Sequence, residues 1–371
     1  MLTTQRQTVH LPGSEAYEAL RKPLNAALDP RPAMVVEAYG VADVRAAVLM
    51  ATERNLPLAV QATGHGTHTE ANGALLLRTT AMDEVEIDPI RRVAKVGPGA
   101  RWGAVIDAAA PYGLVPLAGS SRDVGVTGFT LGGGVGWLSR RYGFAADSVI
   151  RAQVVTADGR LVSTDEHPDL LWALKGGGGS FGLVTELEFR LYPVKQVWAG
   201  IIPFQGDYRA LTEKAPDTLS TALIISPEGT KLKVMSTVPV EGFEAIPFRE
   251  AVMGGTPARH LDFFTDLHDD VMEMAVEAGK EATVEIRHWG GAMAGHRGPV
   301  AAANASYSVI VSQALPGLAE AFGPHATGGS FLNFLADTGR TPDAFTGYER
   351  LAEAKRAWDP RGLFSVGHSI R

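Results

Sequence analysis

The chain has 371 residues, enough for about two domains at roughly 150 residues each. Lysine and arginine total 34, whereas aspartate and glutamate total 41. The net charge of −7 argues against nucleic acid as a partner, because binding a polyanion requires clustered cations. The chain has no cysteine, which excludes disulfides, cysteine-ligated zinc, iron–sulfur clusters and thiolate nucleophiles.

The amino-terminal sequence lacks the pattern of a secretory signal. Its first twenty residues contain no apolar run of about 7 to 15 residues after a basic start. No stretch of the sequence approaches the length of a membrane span. We therefore expect a soluble, cytoplasmic protein without a membrane partner; the alternative is a secreted protein that lacks a classical signal.

The first half of the chain predicts a compact α+β domain over residues 1–195. A strand at 34–38, a helix at 41–55 and a strand at 58–61 form a β-α-β unit. We expect its two strands to be parallel and its crossover right-handed. The remaining elements expected here are strands at 75–78, 85–88, 92–96, 147–155 and 183–191, and a helix at 102–112.

From residue 197 onward the pattern changes and predicts a second domain, which we assign to residues 196–330. Its strands and helices alternate, as expected for an antiparallel sheet covered by helices. The expected strands are 197–204, 221–226, 230–237, 282–289 and 306–312, and the expected helices lie near 207–215, 262–278 and 315–322. A last helix around 348–358 ends at the stop signal Asp359-Pro360.

Glycine is concentrated in short loops at 62–73, 97–103, 119–136 and 176–182. A Walker A loop is disfavoured, because no loop places Lys and then Ser or Thr after its last glycine. A Rossmann fingerprint is incomplete, because 97–99 and 134–136 offer only G-x-G. The favoured interpretation is a dinucleotide site in which separate loops bring backbone N–H groups to a pyrophosphate. The alternative is that each loop is an ordinary tight turn.

Several segments together carry a resemblance to a known family. They are QATGHG at 61–66, GSSRDVGVTGFTLGGGVGW at 119–137, YGFAADSV at 142–149, VVTADGRLV at 154–162, DLLWALKGGGGSFGLVTELEFRLYPV at 169–194 and RLAEAKRAWDPRGLFSVGHSI at 350–370. In this order they resemble the berberine-bridge-enzyme-like group of the vanillyl-alcohol-oxidase and p-cresol-methylhydroxylase (PCMH) flavoprotein superfamily. Residues 195–330 match only in outline, and EIRHWGGAM at 285–293 is most similar to actinobacterial members.

The resemblance implies a two-domain PCMH-type FAD-binding fold, with residues 331–371 returning to the FAD domain. His65 occupies the position that commonly attaches to the flavin 8α-methyl carbon, and a neutral imidazole is suited to add to a flavin methide. Ser121 stands where bicovalent members have a cysteine, so we expect FAD to be linked through His65 only. Val124 matches a position said to control oxygen access, although an ordinary buried valine is equally consistent.

The resemblance, together with the glycine loops, assigns the following residues to cofactor binding, and we expect no metal site. They are Gln61, Ala62, Thr63, Gly64, His65, Gly66, Thr67, Gly119, Ser120, Ser121, Val124, Gly125, Thr127, Gly128, Trp137, Gly143, Val184 and Asn333.

The substrate should lie between the flavin and the sheet of the second domain. Because side chains alternate along a strand, Glu285, Arg287 and Trp289 share one face, and Ile286 and His288 share the other. Glu285 is a candidate base whose pKa burial would raise. An ion pair between Glu285 and Arg287 that shapes the pocket is an equal alternative.

The segment FLNFL at 331–335 matches a Y-x-N-Y segment of the family that lies near the flavin. Phe331 and Phe334 replace both tyrosines here, so members with a tyrosine base at this place are poor guides. The candidate catalytic residues are Glu285, Arg287, His288, Asn333 and Tyr142, and Tyr307 and Tyr348 are further candidates for the base.

The resemblance implies an FAD-dependent oxidase that removes a hydride from a C–H bond next to oxygen or nitrogen, with O2 as the acceptor. A small natural product of secondary metabolism is the expected substrate, and a monomer or homodimer is the expected assembly. Two alternatives stay open: a flavoprotein that sequesters a toxic natural product, and a cyclase without net redox change that uses FAD structurally.

Overall fold

The computed structural model describes residues 9–371. Residues 1–8 belong to the segment analysed above for a secretory signal and lie outside the described residues. Within 9–371, no helix has both the length and the apolar character needed to cross a membrane.

A four-stranded sheet and one long helix open the described chain. The strands Met34–Glu37 and Leu58–Gln61 flank the helix Val41–Glu53 in sequence, and both pair in parallel with Leu75–Arg78. The parallel orientation of the β-α-β unit is therefore confirmed, but Leu75–Arg78 lies between its two strands. The short strand Val9–His10 completes the other edge. Buried residues of the helix, including Val44 and Val48, pack on the sheet.

The second sheet of the first domain has five strands, and all of its pairings are antiparallel. In spatial order the strands are Val85–Asp88, Val93–Val96, Leu183–Arg190, Val149–Val155 and Leu161–Ser163. A two-stranded ladder joins Leu114–Val115 to Tyr192–Pro193. The helices of this part of the chain are Glu15–Leu20, Trp102–Ala109, Val126–Leu131, Ser139–Tyr142, Ala145–Ser148 and Pro168–Leu174.

A seven-stranded antiparallel sheet forms the second part of the molecule. In spatial order its strands are Ala245–Ile246, Val197–Pro203, Gly229–Ser236, Leu219–Ser226, Val284–His288, Tyr307–Val311 and His260–Phe264. The helices Tyr208–Glu213, Asp269–Ala278 and Leu318–Phe322 pack on one face, around an apolar cluster that contains Val271, Ile286 and Phe322. The expected antiparallel sheet covered by helices is confirmed, and with it the α+β class.

One predicted element was wrong. The helix expected at 262–278 is divided, because His260–Phe264 is an edge strand paired with Tyr307–Val311 and the helix begins only at Asp269. Phe263 and Phe264 are fully buried, and they pack on opposite faces of the sheet in separate clusters. These two adjacent apolar residues therefore pack on two different faces of the sheet. In the sequence, such a short apolar run does not distinguish a strand from a helix.

The last helix, Tyr348–Trp358, ends at the predicted stop and is locked to the first domain. Lys355 Nζ donates hydrogen bonds to Asp359 Oδ2 at 2.6 Å and to the carbonyl oxygens of Ser180 and Phe364 at 2.9 and 2.8 Å. Asp359 in turn accepts from the backbone nitrogens of Leu363 and Phe364. This buried ion pair holds the carboxyl-terminal segment against the loop at Ser180.

Candidate functional site

A cavity of about 620 Å³ lies between the glycine loops and the seven-stranded sheet. Its volume falls in the range of roughly 300 to 1,000 Å³ typical of small-molecule and cofactor sites. Parts of the chain that are far apart in sequence form its walls. The lining includes residues from the segments 58–69, 119–132, 178–184 and 364–368, together with Glu285, Arg287, Ile310 and Asn333.

The first glycine loop leaves the carboxyl end of strand Leu58–Gln61 and turns at Gly64, whose φ of +80° suits glycine. His65 follows, and its Nδ1 lies 2.9 Å from Thr63 Oγ1. Burial, followed by the nearby Arg101 cation, lowers the pKa of His65, and Asp123 partly opposes them. The imidazole is therefore neutral at pH 7, which is the state that a nucleophilic nitrogen requires.

The second glycine loop packs directly on the first. A Cβ added at Gly125 would lie 3.3 Å from Thr63 Oγ1, so the absence of a side chain permits this close approach. Gly125 precedes the helix Val126–Leu131, and Ser120, Ser121 and Val124 line the cavity just before it. The two loops thus form one continuous wall.

The third glycine segment, 132–136, is held by Asn333. The Asn333 side chain accepts a hydrogen bond from the Gly134 nitrogen at 2.9 Å and donates one to the Phe129 carbonyl at 3.0 Å. A Cβ at Gly132 would lie 2.6 Å from Asn333 Nδ2, so only glycine leaves room for the amide. Asn333 lines the cavity and also fixes the course of the backbone around it.

The lining has the features of a site built for FAD. Thr79 Oγ1 and Thr127 Oγ1 are buried, line the cavity and have no hydrogen-bond partner within residues 9–371, so each is available to a ligand. A Cβ at Gly66, Gly128 or Gly179 would meet nothing within 4 Å, so the backbone itself forms the cradle at these places. Small residues and free hydroxyls fit a ligand with a flat ring system and a pyrophosphate.

The opposite wall carries a buried carboxylate with four donors. Glu285 is fully buried; its Oε1 accepts from Arg287 Nε and Nη2 at 3.1 and 2.6 Å, and its Oε2 accepts from Lys233 Nζ and Thr256 Oγ1 at 3.3 and 2.9 Å. Burial opposes ionisation, but Arg287 and Lys233 outweigh it and lower the pKa of Glu285. The expectation of a raised pKa was wrong, and the geometry is that of the alternative, an ion pair that shapes the pocket.

His288 faces away from the cavity and is not placed to act on a ligand there. Its Nε2 lies 2.9 Å from Arg140 Nη1, and its ring stacks on Tyr307 at 5.4 Å between centroids. Burial, followed by the Arg140 cation, lowers the pKa of His288 to about 3. The imidazole is a neutral acceptor between packed elements.

Other predicted residues also lie outside the lining. The ring of Tyr142 packs at a tilt on that of Tyr192, with 4.2 Å between centroids, and Trp137 lies beneath the Arg287 guanidinium at 5.0 Å. Gly143, with φ of +92°, ends a short helix where a Cβ would meet Asp147. Trp289, expected on the face of Glu285, packs among Phe263 and other aromatic side chains beyond the strand end.

The other predicted cofactor residues line the cavity: Gln61, Ala62, Thr63, Gly64, His65, Gly66, Thr67, Gly119, Ser120, Ser121, Val124, Gly125, Thr127, Gly128, Val184 and Asn333.

Sequence reasoning missed several parts of the lining, Thr79 among them. The segment 178–180 belongs to a glycine loop visible in the sequence, but it received no role. Thr256 lies in a segment without a regular element, and His368 lies near the end of the chain; each comes to the cavity through long-range contacts. Lys233 supports Glu285 from the next strand but one, and no motif marks it.

Comparisons with known proteins agree with this geometry. The family described as "FAD binding domain" matches residues 32–165, and "Berberine and berberine like" matches residues 331–371. The chain is 32% identical over 206 residues to (R)-6-hydroxynicotine oxidase of Paenarthrobacter nicotinovorans, covering 54% of this chain and 45% of that protein. It is 31% identical over 231 residues to an FAD-linked oxidoreductase of Dictyostelium discoideum, covering 58% and 51%. The chain thus spans about half the length of the curated relatives it matches.

Solved structures extend the likeness over the whole chain. 6-Hydroxy-D-nicotine oxidase from Arthrobacter nicotinovorans superposes with a TM-score of 0.84 at 22% identity, covering 100% of both chains. Physcomitrella patens BBE-like 1 gives 0.85 at 19% identity, covering 98% of this chain and 96% of that chain. A chitooligosaccharide oxidase gives 0.86 at 19% identity, covering 98% and 97%. The fold expected from the sequence is confirmed.

Proposed function

We propose that the chain, which is similar to the berberine-bridge-enzyme-like group of FAD-binding oxidoreductases, is an FAD-dependent oxidase. It removes a hydride from a C–H bond next to oxygen or nitrogen of a small organic substrate, and O2 reoxidises the cofactor to give hydrogen peroxide. A natural product is the proposed kind of substrate. Loss of the hydride and of the O–H or N–H proton leaves a C=O or C=N bond on the product, and both hydrogens end in the hydrogen peroxide.

One observation carries the proposal: the glycine loops and the sheet wall enclose a single cavity. A cofactor seated on the loops and a substrate lying against the sheet would therefore be in contact without crossing solvent. FAD, when bound, supplies the hydride acceptor. The chain has to hold the two partners at reacting distance and keep water out.

The residues that would hold the cofactor are those with unused polar groups or no side chain. Thr127 and Thr79 offer hydroxyls, and Gly66, Gly128 and Gly179 offer open backbone. Attachment through His65 alone is part of the proposal, because Ser121 has no thiol for a second tether.

The substrate end of the cavity combines an apolar lining with one charged cluster. Ile310, Leu332 and Phe334 line the cavity together with Glu285 and Arg287. The four donors on the Glu285 carboxylate occupy its acceptor sites, so it holds its neighbours in place and is poorly suited to take a proton from substrate. We therefore assign Glu285 a positioning role.

The names of the similar proteins support the reaction class. Two of the names are 6-hydroxynicotine oxidases and one is a chitooligosaccharide oxidase, so each name describes an oxidation. These substrates belong to those proteins. For this chain, the oxidase names support the proposal that the acceptor is O2.

The test is anaerobic mixing of the FAD-containing protein with a panel of amines, alcohols and hydroxylated natural products. A substrate should bleach the flavin band near about 450 nm, and admission of air should restore it with one hydrogen peroxide formed per substrate oxidised. Tight binding without bleaching would instead support sequestration. Product formation without bleaching or peroxide would support a cyclase.

A further inference from the structure

We propose that the sheet wall of the cavity binds a carboxylate of the substrate through Arg287. The inference rests on the proposed function for its location, since it places the anion opposite the FAD-binding loops. It adds a substrate class, a small organic acid with an apolar body.

The cluster of Lys233, Arg287 and Glu285 has a net charge of +1, because two cations pair with one carboxylate. Lys233 and Arg287 are both buried, at 8% and 9% exposure, and both pair with the single carboxylate of Glu285. Glu285 is the only Asp or Glu that lines the cavity in the described part of the chain. A buried charge without a counter-ion is costly, so an anionic ligand would be favoured there.

Arg287 has a donor left over for that anion. Its Nε and Nη2 are spent on Glu285 Oε1, whereas Nη1 has no hydrogen-bond partner within 9–371. The Trp137 ring supports the guanidinium from one side at 5.0 Å. In the strand register, Ala222 stands between Lys233 and Arg287, and its small side chain leaves both cationic side chains room above the sheet. The guanidinium is thus held in position before a ligand arrives.

The cavity that this donor faces also has apolar lining. Ile310 lies directly across from Glu285 in the sheet, and Leu332 and Phe334 line the same cavity. A ligand with a charged head at Arg287 would place an apolar body against these residues. Charge-assisted hydrogen bonds are also stronger in such surroundings than in water.

The experiment uses benzoate as the anionic probe and benzamide as its neutral counterpart of the same shape. Calorimetric titration of the FAD-containing protein should give clearly tighter binding of benzoate than of benzamide. Arg287→Gln should weaken benzoate binding at least about tenfold, the scale of one charge-assisted hydrogen bond, with little change for benzamide. Arg259→Gln, an exposed arginine of the same sheet region, is the matched control and should leave both affinities unchanged.

A second pair of variants separates charge from structural damage. Glu285→Gln raises the net charge of the cluster by one and should tighten benzoate binding, although it removes a partner of Arg287. Lys233→Met lowers the charge by one and should weaken benzoate binding without touching Arg287. Structural damage would weaken benzoate binding in both variants. Tighter binding by Glu285→Gln together with weaker binding by Lys233→Met therefore supports the proposal, and weaker binding by both overturns it.

Two further results would also overturn it. One is equal affinity of the wild-type protein for benzoate and benzamide. The other is an Arg287→Gln protein in which the flavin reduction potential shifts while benzoate affinity does not, because the charge would then serve the cofactor. Titration requires no turnover, so failure to find an oxidised substrate tests the proposed function alone. If the purified protein lacked FAD, that function would fail, and the same titration would still decide anion binding.

Discussion

The side chain of Asn333 accepts a hydrogen bond from the backbone nitrogen of Gly134 at 2.9 Å, across 199 positions of sequence. Its amide nitrogen donates to the carbonyl of Phe129 at 3.0 Å. The carboxyl-terminal segment therefore holds the glycine-rich backbone in the shape that lines the cavity. Asn333, which was identified by its likeness to a family motif, therefore has a defined structural role in the site.

Replacement Asn333→Ala removes both hydrogen bonds and leaves two backbone groups to find other partners. We expect a loss of about 1 to 3 kcal/mol in the free energy of unfolding and faster release of non-covalent FAD. Denaturant unfolding and flavin fluorescence measure the two effects. Asn304→Ala, at an exposed position, is the control and should change neither. A stable Asn333→Ala protein with normal cofactor retention would contradict this role.

Attachment of FAD through His65 is tested by acid precipitation. The wild-type protein and His68→Ala should give a yellow pellet, whereas His65→Ala should leave its flavin in the supernatant. Both histidines line the cavity, so the comparison distinguishes attachment from general disturbance of the loop. A colourless wild-type pellet would refute the covalent link and leave the FAD site itself intact.

Gly128 provides a way to block the cofactor site without harming the fold. A Cβ there meets nothing within 4 Å, so Gly128→Leu should place its side chain in the cavity, and the protein should fold but bind little FAD. Gly136→Ala is the contrasting variant, because its Cβ would lie 2.0 Å from the Ala118 carbonyl oxygen. Circular dichroism and bound flavin should show a folded apoprotein for the first variant and poor folding for the second. Full flavin content in Gly128→Leu would show that the ligand does not lie over this turn.

His288 should make the protein sensitive to acid. Its pKa is about 3 in the folded protein, against an ordinary value of 6.5, so the unfolded chain binds more protons between these values. Stability from this group is therefore complete above about pH 6.5 and is lost as the pH falls toward 3, by at most about 1.4 kcal/mol per pH unit. His288→Gln keeps an acceptor for Arg140 and should flatten the pH dependence of denaturant unfolding, whereas His268→Gln, at an exposed site, should not. An unchanged slope in His288→Gln would contradict the assignment.

The Lys355–Asp359 pair should be a major support of the carboxyl-terminal segment. Lys355→Met leaves the Asp359 carboxylate buried without its cation, and breaking such a pair costs about 3 to 5 kcal/mol. We expect that loss in denaturant unfolding. Lys280→Met, which removes an exposed pair with Glu277, should cost less than about 1 kcal/mol. Equal effects in the two variants would argue against a specific role for the buried pair.

Local sequence patterns predicted the elements and the glycine loops that line the site. Strands such as Leu58–Gln61 are β-branched or apolar runs with clear ends, and the loop that carries His65 follows directly. These features depend on neighbours within a few residues, which a single sequence displays. The FAD-binding loops, the antiparallel second sheet and the last helix were therefore all predictable.

Tertiary structure alone decided strand order and the ionisation of the site. The position of Leu75–Arg78 between two parallel strands, and the edge strand His260–Phe264, depend on pairing with distant segments. The pKa of Glu285 falls because Arg287, on the same strand, and Lys233, from another strand, outweigh the effect of burial. His288 stays neutral because it is buried and because Arg140 reaches it across the molecule. Local sequence patterns depend only on residues that are close together along the chain. Burial and charge at a site depend on residues that only the folded chain brings together.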